Sequence, residues 1–153
     1  MKSKVCFFLA VAAFAVTTFA ADKPVKFSEL PAVVQKTMHQ ETQATGAKIK
    51  NTLIEIEDAK TYYECESILP NGKTRDFLVD PQGNVHEVED QVEESELPAA
   101  VKAVVEKTAA GGGKITKLEA TKRNGKITGY EATVVKNGKK IGLEMNPDGT
   151  KMK

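Results

Sequence analysis

The sequence is poor in the residue types on which most protein chemistry depends. It contains no tryptophan, two cysteines and two histidines among 153 residues, and aromatic residues make up only 6% of the chain. An activated nucleophile needs a histidine held beside a serine or cysteine, and a structural zinc site usually needs four cysteine or histidine ligands. The two histidines, His39 and His86, are far apart in the sequence. We therefore expect no catalytic residue, no cofactor and no metal site.

The chain also lacks an excess of charge of either sign. Its 22 basic and 21 acidic residues give a formal net charge of +1. Nucleic acids and anionic membrane surfaces are bound mainly through a surplus of lysine and arginine. This balance predicts that neither is a partner.

A long apolar run is missing as well, although a short one stands at the start. Lys2 and Lys4 precede an apolar stretch from Val5 to Val16, and a small residue pattern leads to Ala20. A spanning helix needs about 20 strongly apolar residues, so this pattern predicts a cleavable signal peptide over residues 1–20, cut after Ala20. The expected location is periplasmic or extracellular, with no membrane attachment after cleavage.

Cleavage would leave the mature chain with Cys65 as its single cysteine, since Cys6 lies in the leader. A fold held in an oxidising compartment without an internal disulfide must rely on packing. Strand alternation places Cys65 on the expected core face, which favours a small buried side chain over a reactive thiol.

The most prominent feature of the sequence is a pair of similar segments, each of which is typical of the start of a helix. The segment SELPAVVQKT begins at Ser28, and SELPAAVKAV begins 67 residues later at Ser95. Apolar residues recur with the 3.6-residue period of a helix in both segments, and proline is favoured in the first helical turn. We predict helices that start at Pro31 and Pro98 and stop near Gly46 and near Gly111–Gly113, because glycine suits a left-handed helix end.

Each predicted helix is followed by period-two alternation and hairpin signals. Tyr63 and Cys65 share one predicted strand face, and Asn71-Gly72 and Asn137-Gly138 are dipeptides typical of a type I′ turn. A further strand and a Pro-Gly turn follow in both halves. The acidic segment Asp90–Glu94 is interpreted as a linker. The fold class predicted from these patterns is α+β, with two tandem repeats that each pack one helix on a three- to four-stranded antiparallel sheet. The repeats are assigned to residues 21–90 and 91–153, and whether their sheets merge is left open.

The ordered set of motifs resembles the PepSY-like family, and most of all its secreted members grouped with the β-lactamase inhibitory protein. The residues that carry the resemblance are Leu30, Pro31, Val34, Tyr63, Glu64, Asn71, Gly72, Asp80, Pro81 and Gly83, and in the second half Leu97, Pro98, Val101, Tyr130, Glu131, Asn137, Gly138, Asn146, Pro147 and Gly149. The resemblance implies an exported α+β module that binds proteins through an open sheet face. The chain departs from the inhibitor in having no internal disulfides and no match to the residues that contact its target.

One candidate binding site follows from the alternation. The strand face opposite Tyr63 and Cys65 would present a mixed aromatic and acidic surface of the kind that suits protein contacts. Its residues are Tyr62, Glu64, Glu66, Ile68 and Leu78. The leading hypothesis is a non-enzymatic protein-binding module that occludes a secreted or periplasmic enzyme. The alternatives are a periplasmic small-ligand-binding or envelope-sensing protein and a purely structural envelope protein.

Overall fold

The computed structural model describes residues 23–57 and 59–152, so the predicted signal peptide and its cleavage site lie outside the described residues. Strands make up most of the secondary structure, and each of the two α-helices is preceded by a short 3₁₀ turn, at Phe27–Glu29 and Glu94–Glu96. In chain order the elements are β1 (Lys23–Pro24), α1 (Ala32–Thr45), β2 (Lys48–Glu57), β3 (Lys60–Ile68), β4 (Thr74–Val79), β5 (Val85–Gln91), α2 (Ala99–Ala109), β6 (Lys114–Arg123), β7 (Lys126–Lys136) and β8 (Lys139–Met145).

All eight strands form one antiparallel sheet in the order of the sequence. The sheet curves into a half-barrel. The described part of the chain contains two α-helices, α1 and α2. The prediction of two tandem repeats, each with a helix on its own three- to four-stranded sheet, is therefore wrong. The reason is β5, because the segment interpreted as a linker continues this strand: Asp90 pairs with Ala120 and Gln91 pairs with Glu119 of β6.

The helix boundaries agree with the sequence patterns to within a residue or two. Pro31 and Pro98 are the N-cap residues, and the helices begin one residue later. Gly46 ends α1 with φ 69°, the left-handed conformation that glycine adopts without steric cost. Among the described residues, none of the helices is long and apolar enough to cross a membrane.

The two predicted type I′ turns differ in the structure. Asn137 and Gly138 both have positive φ, at 52° and 74°, as a type I′ turn requires. In the first half Gly72 alone has positive φ, and its N–H donates to the Leu69 carbonyl. Pro70 explains the difference: its fixed φ suits the first central position of a turn, which moves Asn71 to the second.

The apolar core lies on the face of the sheet that carries both helices. Against α1 pack the side chains of Cys65, Phe77 and Val79, and for Cys65 the predicted strand alternation is confirmed. Against α2 pack Ala120, Tyr130, Ala132 and Met145. Cross-strand pairing connects the two clusters on the same side, because Cys65 pairs with Phe77, Phe77 with Val88, and Val88 with Lys122. Both helices therefore lie on one face of the sheet, and no described helix lies on the opposite face.

Candidate binding surface on the helix-free face

The helix-free face carries a concentration of carboxyl groups, which we call the acidic face. Side chains of directly paired residues lie on the same side of a sheet, so the pairing registers define its members. They include Glu55, Glu64, Glu66, Asp76, Glu87, Glu89, Glu119, Glu131 and Glu144, with Tyr62, Ile68, Leu78, Lys117 and Thr121 among them. The acids greatly outnumber the cations that contact them.

The five residues of the predicted binding site all belong to this face. Glu64 pairs with Leu78, Glu66 with Asp76, and Tyr62 with Glu55. Their exposure differs from the expectation of an open surface: Tyr62 is 5% exposed, Leu78 2% and Glu64 8%. Glu66 and Ile68 are half-buried. No described helix covers these side chains, and we attribute their burial to the curvature of the sheet.

Lys117 is the cation at the centre of the acidic face. Its Nζ lies 2.8 Å from Glu119 Oε2, 3.3 Å from Asp76 Oδ2 and 3.9 Å from Glu89 Oε2. Burial lowers the pKa of Lys117, but the carboxylates of Glu119, Asp76 and Glu89 outweigh it and raise the pKa above its ordinary value. This ammonium therefore stays charged and joins β4, β5 and β6 across the acidic face.

Several carboxyl groups nevertheless favour the protonated form. Burial, reinforced by the charges of Asp76 and Glu55, raises the pKa of Glu64 to about 8. Burial and the neighbouring acids Glu131 and Glu119 raise the pKa of Glu89 to about 10. A charged carboxylate loses hydration when it is buried, and like charges nearby add to the penalty. The acidic face thus holds protons at neutral pH that ordinary glutamates would have released.

Two groups of carboxyl oxygens converge closely enough to share a cation. In each group one oxygen per residue lies within 4.8 Å of the others: Glu64, Asp76 and Glu89 form the first, and Glu87, Glu89 and Glu131 form the second. Lys117 already places its ammonium beside the first group. The second group adjoins Arg123, whose Nε is 2.6 Å from Glu87 Oε2. Sequence patterns did not bring either group together, because separate strands of the sheet supply their members.

One end of the acidic face opens into a cleft beside an aromatic pair. The rings of Tyr62 and His86 stack with centroids 4.5 Å apart and planes inclined by 21°. The adjoining cleft has a volume of about 440 Å³ and is lined by Lys60, Thr61, Asp80, Pro81 and Gln82 in addition to the two rings. Cross-strand stacking thus gives His86 a defined position that its place in the sequence did not indicate.

The remaining residues considered for chemistry lie on the helix side. Cys65 is fully buried among core residues, and burial followed by the charge of Asp76 raises the pKa of its thiol to about 12. His39 packs edge-on against Phe27 with ring centroids 4.8 Å apart. Both placements are those of packing residues, and neither side chain is positioned beside the acidic face.

The junction between the two helical clusters is also polar. Asp90 accepts contacts from Arg75 Nε at 3.4 Å and from Lys122 Nζ at 2.7 Å. A small cleft of about 220 Å³ lies there, lined by these two cations and by Val85, His86, Val88, Asn124 and Gly125. It is smaller than the roughly 300–1,000 Å³ of typical small-molecule sites.

Comparisons with known proteins show a fold and no established relative. No protein family matches the sequence, and no curated protein does so. Among solved structures, a protein from Bacteroides eggerthii DSM 20697 that is proposed to be periplasmic superposes with TM-score 0.57 at 16% identity, covering 81% of this chain and 86% of that one. A DUF2874 family protein from Bacteroides uniformis ATCC 8492 gives TM-score 0.53 at 17% identity, covering 80% and 86%. A BLIP-like protein from Bacteroides fragilis NCTC 9343 gives TM-score 0.48 at 16% identity, covering 81% and 84%.

The first two of these similarities establish that the chain shares its fold with solved proteins from Bacteroides, one of which is a DUF2874 family protein. They extend over 81% and 80% of this chain and over 86% of each of the two solved chains. This likeness shows neither the PepSY-like family nor the tandem repeats that the sequence predicted. It concerns the fold alone, since the identities are 16% and 17%.

Proposed function

We propose that the protein is an exported, non-enzymatic binding module whose acidic face receives a basic segment of a protein partner. The partner class that fits best is a secreted or periplasmic enzyme, which the sheet would occlude sterically. The observation that carries the proposal is an acid-rich sheet face that no described helix covers, although both helices cover the opposite face. Complementary charge steers association and sets the orientation of a partner.

The exposure of the predicted residues supports different roles for them in binding. Glu66 and Ile68 are half-buried and can meet a partner directly. Tyr62, Glu64 and Leu78 are too buried to do so and would act through the shape of the surface. The placement of Cys65 and His39 in packing positions supports a binding role over catalysis.

The exported location rests on two observations. The sequence pattern predicts a signal peptide over residues 1–20, and the similar protein from Bacteroides eggerthii DSM 20697 is proposed to be periplasmic. Edman sequencing of the protein isolated from a cell envelope fraction would show Ala21 at the N-terminus. An intact Met1 in a cytosolic fraction would contradict export.

Charge reversal tests the acidic face directly. We expect Glu66→Lys to reduce capture of the partner from a mixture of secreted and periplasmic proteins by about tenfold or more, because contact between like charges costs several kcal/mol. Glu106→Lys on the exposed surface of α2 changes the net charge equally and serves as the control. Capture should also weaken as NaCl is raised from about 0.05 M to about 0.5 M. Equal effects of the two variants, or capture that is independent of salt, would contradict a role for the acidic face.

A matched pair tests the apolar contribution. Ile68→Ala should weaken capture, whereas Ile127→Ala, at a side chain that is 47% exposed near the β6–β7 turn, should leave it unchanged. Circular dichroism spectra of both variants establish that the fold is retained. If only the Ile127 variant loses binding, the partner docks at the hairpin tips and not on the acidic face.

A small-ligand-binding or envelope-sensing role is the second candidate, and the cleft beside Tyr62 and His86 favours it. Its volume of about 440 Å³ falls in the range of ligand sites, and the stacked rings offer an apolar wall. A ligand from a metabolite library that raises the melting temperature should lose that effect in His86→Ala. If no compound in the library stabilises the protein, the ligand-binding role loses its support.

A further inference from the structure

The group of Glu87, Glu89 and Glu131 is surrounded by further oxygen atoms. Glu119 is 0% exposed and pairs directly with Glu131, and Thr121 is 1% exposed and pairs directly with Glu89. Both side chains therefore lie on the same face as the three acids and between them. The site would offer four carboxyl groups and a hydroxyl contributed by the three adjacent strands β5, β6 and β7.

Thr121 gives an independent reason to expect a ligand here. Its Oγ1 is buried and has no hydrogen-bond partner among the described residues. A buried hydroxyl without a partner loses its hydration and gains no compensating hydrogen bond, and such groups are rare in folded proteins. A metal ion that is coordinated by oxygen atoms could bind Thr121 Oγ1 and give it the partner that it lacks.

We propose that Glu87, Glu89, Glu119, Glu131 and Thr121 form a binding site for a hard divalent cation, with Ca²⁺ as the best match. Ca²⁺ takes six to eight oxygen ligands in flexible geometry, and carboxylates can supply two oxygens each. Mg²⁺ demands a near-ideal octahedron and retains water, which suits a crowded, buried set of side chains poorly.

The surrounding charges agree with this choice. In their ionised forms the four carboxyl groups would face two nearby cations, Lys117 beside Glu119 and Arg123 beside Glu87. A divalent ion would balance the remaining two negative charges. The neighbouring group of Glu64, Asp76 and Glu89 is less suitable, because the Lys117 ammonium already contacts two of its three acids, Asp76 at 3.3 Å and Glu89 at 3.9 Å. At the proposed site the same ammonium contacts Glu89 and Oε2 of Glu119, while Oε1 of Glu119 has no hydrogen-bond partner among the described residues. This inference does not depend on the proposed protein partner.

Calorimetric titration of the purified protein with CaCl₂, after treatment with a chelator, tests the site. We expect saturable binding of one ion, a higher melting temperature in CaCl₂ than in chelator, and a weaker response to MgCl₂. Absence of both binding heat and a melting shift at millimolar CaCl₂ would overturn the proposal.

Two matched variants separate the site from general acidity. Glu131→Gln and Glu64→Gln each replace one carboxyl group of the acidic face by an amide, and burial raises the pKa of both acids to about 8. Glu131→Gln should weaken Ca²⁺ binding about tenfold or more, since losing even an outer partner of a metal site costs roughly 10–100-fold. Glu64→Gln should change it by less than about threefold, as an acid outside the ligand set.

Circular dichroism spectra of the variants show whether the fold is retained. Thr121→Val is a second test of the site, because it replaces only the hydroxyl group by a methyl group. It should also weaken Ca²⁺ binding. Equal losses in Glu131→Gln and Glu64→Gln would show diffuse attraction of cations to the acidic face and would refute the defined site.

Discussion

Glu64→Gln should stabilise the protein at neutral pH and have little effect at pH 5. The pKa of Glu64 is raised from 4.5 to about 8, first by burial and then by the charges of Asp76 and Glu55. Between these values the folded state keeps a proton that the unfolded chain has released. Stability from this group is fully present below pH 4.5 and declines as the pH rises, until it levels off above about pH 8.

The magnitude follows from the width of that window. Each pH unit within it costs about 1.4 kcal/mol, so the rise from about pH 5 to about pH 7.5 costs roughly 3 kcal/mol of unfolding free energy. Glutamine has nearly the shape of a protonated glutamate and does not titrate. Glu64→Gln should therefore exceed the natural protein in stability by up to about 3 kcal/mol at pH 7.5 and match it within about 1 kcal/mol at pH 5.

Urea unfolding followed by far-ultraviolet circular dichroism at both pH values measures the difference. Glu106→Gln, on the exposed surface of α2, is the control and should change stability by less than about 0.5 kcal/mol at either pH. If Glu64→Gln is equally destabilising at both values, or if its stability relative to the natural protein does not increase from pH 5 to pH 7.5, the buried, protonated state inferred for Glu64 is wrong.

Three further predictions address the fold. Cys65 should react with a thiol reagent only after unfolding, because it is fully buried and its pKa is raised to about 12; rapid labelling of the folded protein would contradict this placement. Gly149→Ala should lower stability by about 1–3 kcal/mol in urea unfolding, since Gly149 has φ 79° and a Cβ would lie 2.8 Å from the Ala100 carbonyl oxygen; an unchanged midpoint would show that this turn relaxes freely. Met38→Ala, on the buried side of α1, should cost about 2–5 kcal/mol, and Val105→Ala, on the buried side of α2, should shift the same single calorimetric transition, because one sheet joins both clusters; two separate transitions would indicate independent halves.

Local features of this fold were predictable from the sequence because short-range chemistry decides them. Proline fixed the helix starts, glycine fixed the end of α1, and the Asn137-Gly138 pair fixed one hairpin. The alternation in β3 correctly separated Cys65 from the acids on the other face. Each of these depends on a few neighbouring residues and on their preferred backbone angles.

The continuity of the sheet could not be predicted in the same way. The Asp90–Glu94 segment looks solvated because it is acidic, yet Asp90 is placed between the cations Arg75 and Lys122 from other strands. The burial of Glu64 and Leu78 likewise depends on how the whole sheet curves, a property that no local window contains. The convergence of the carboxyl groups of Glu87, Glu89 and Glu131 depends both on the curvature of the sheet and on the pairing of strands that are distant in sequence.

The order of the strands leaves β8 at the margin of the sheet, since a half-barrel does not close on itself. An unpaired margin offers N–H and carbonyl groups to any other extended chain and invites copies of a protein to join edge to edge. Lys139 and Lys140 place positive charge where β8 begins, and a bridge between Met145 and Lys151 occupies its far end. Lysine side chains on an edge strand and an already paired end both disfavour edge-to-edge pairing, which helps to keep a sheet-rich protein from polymerising.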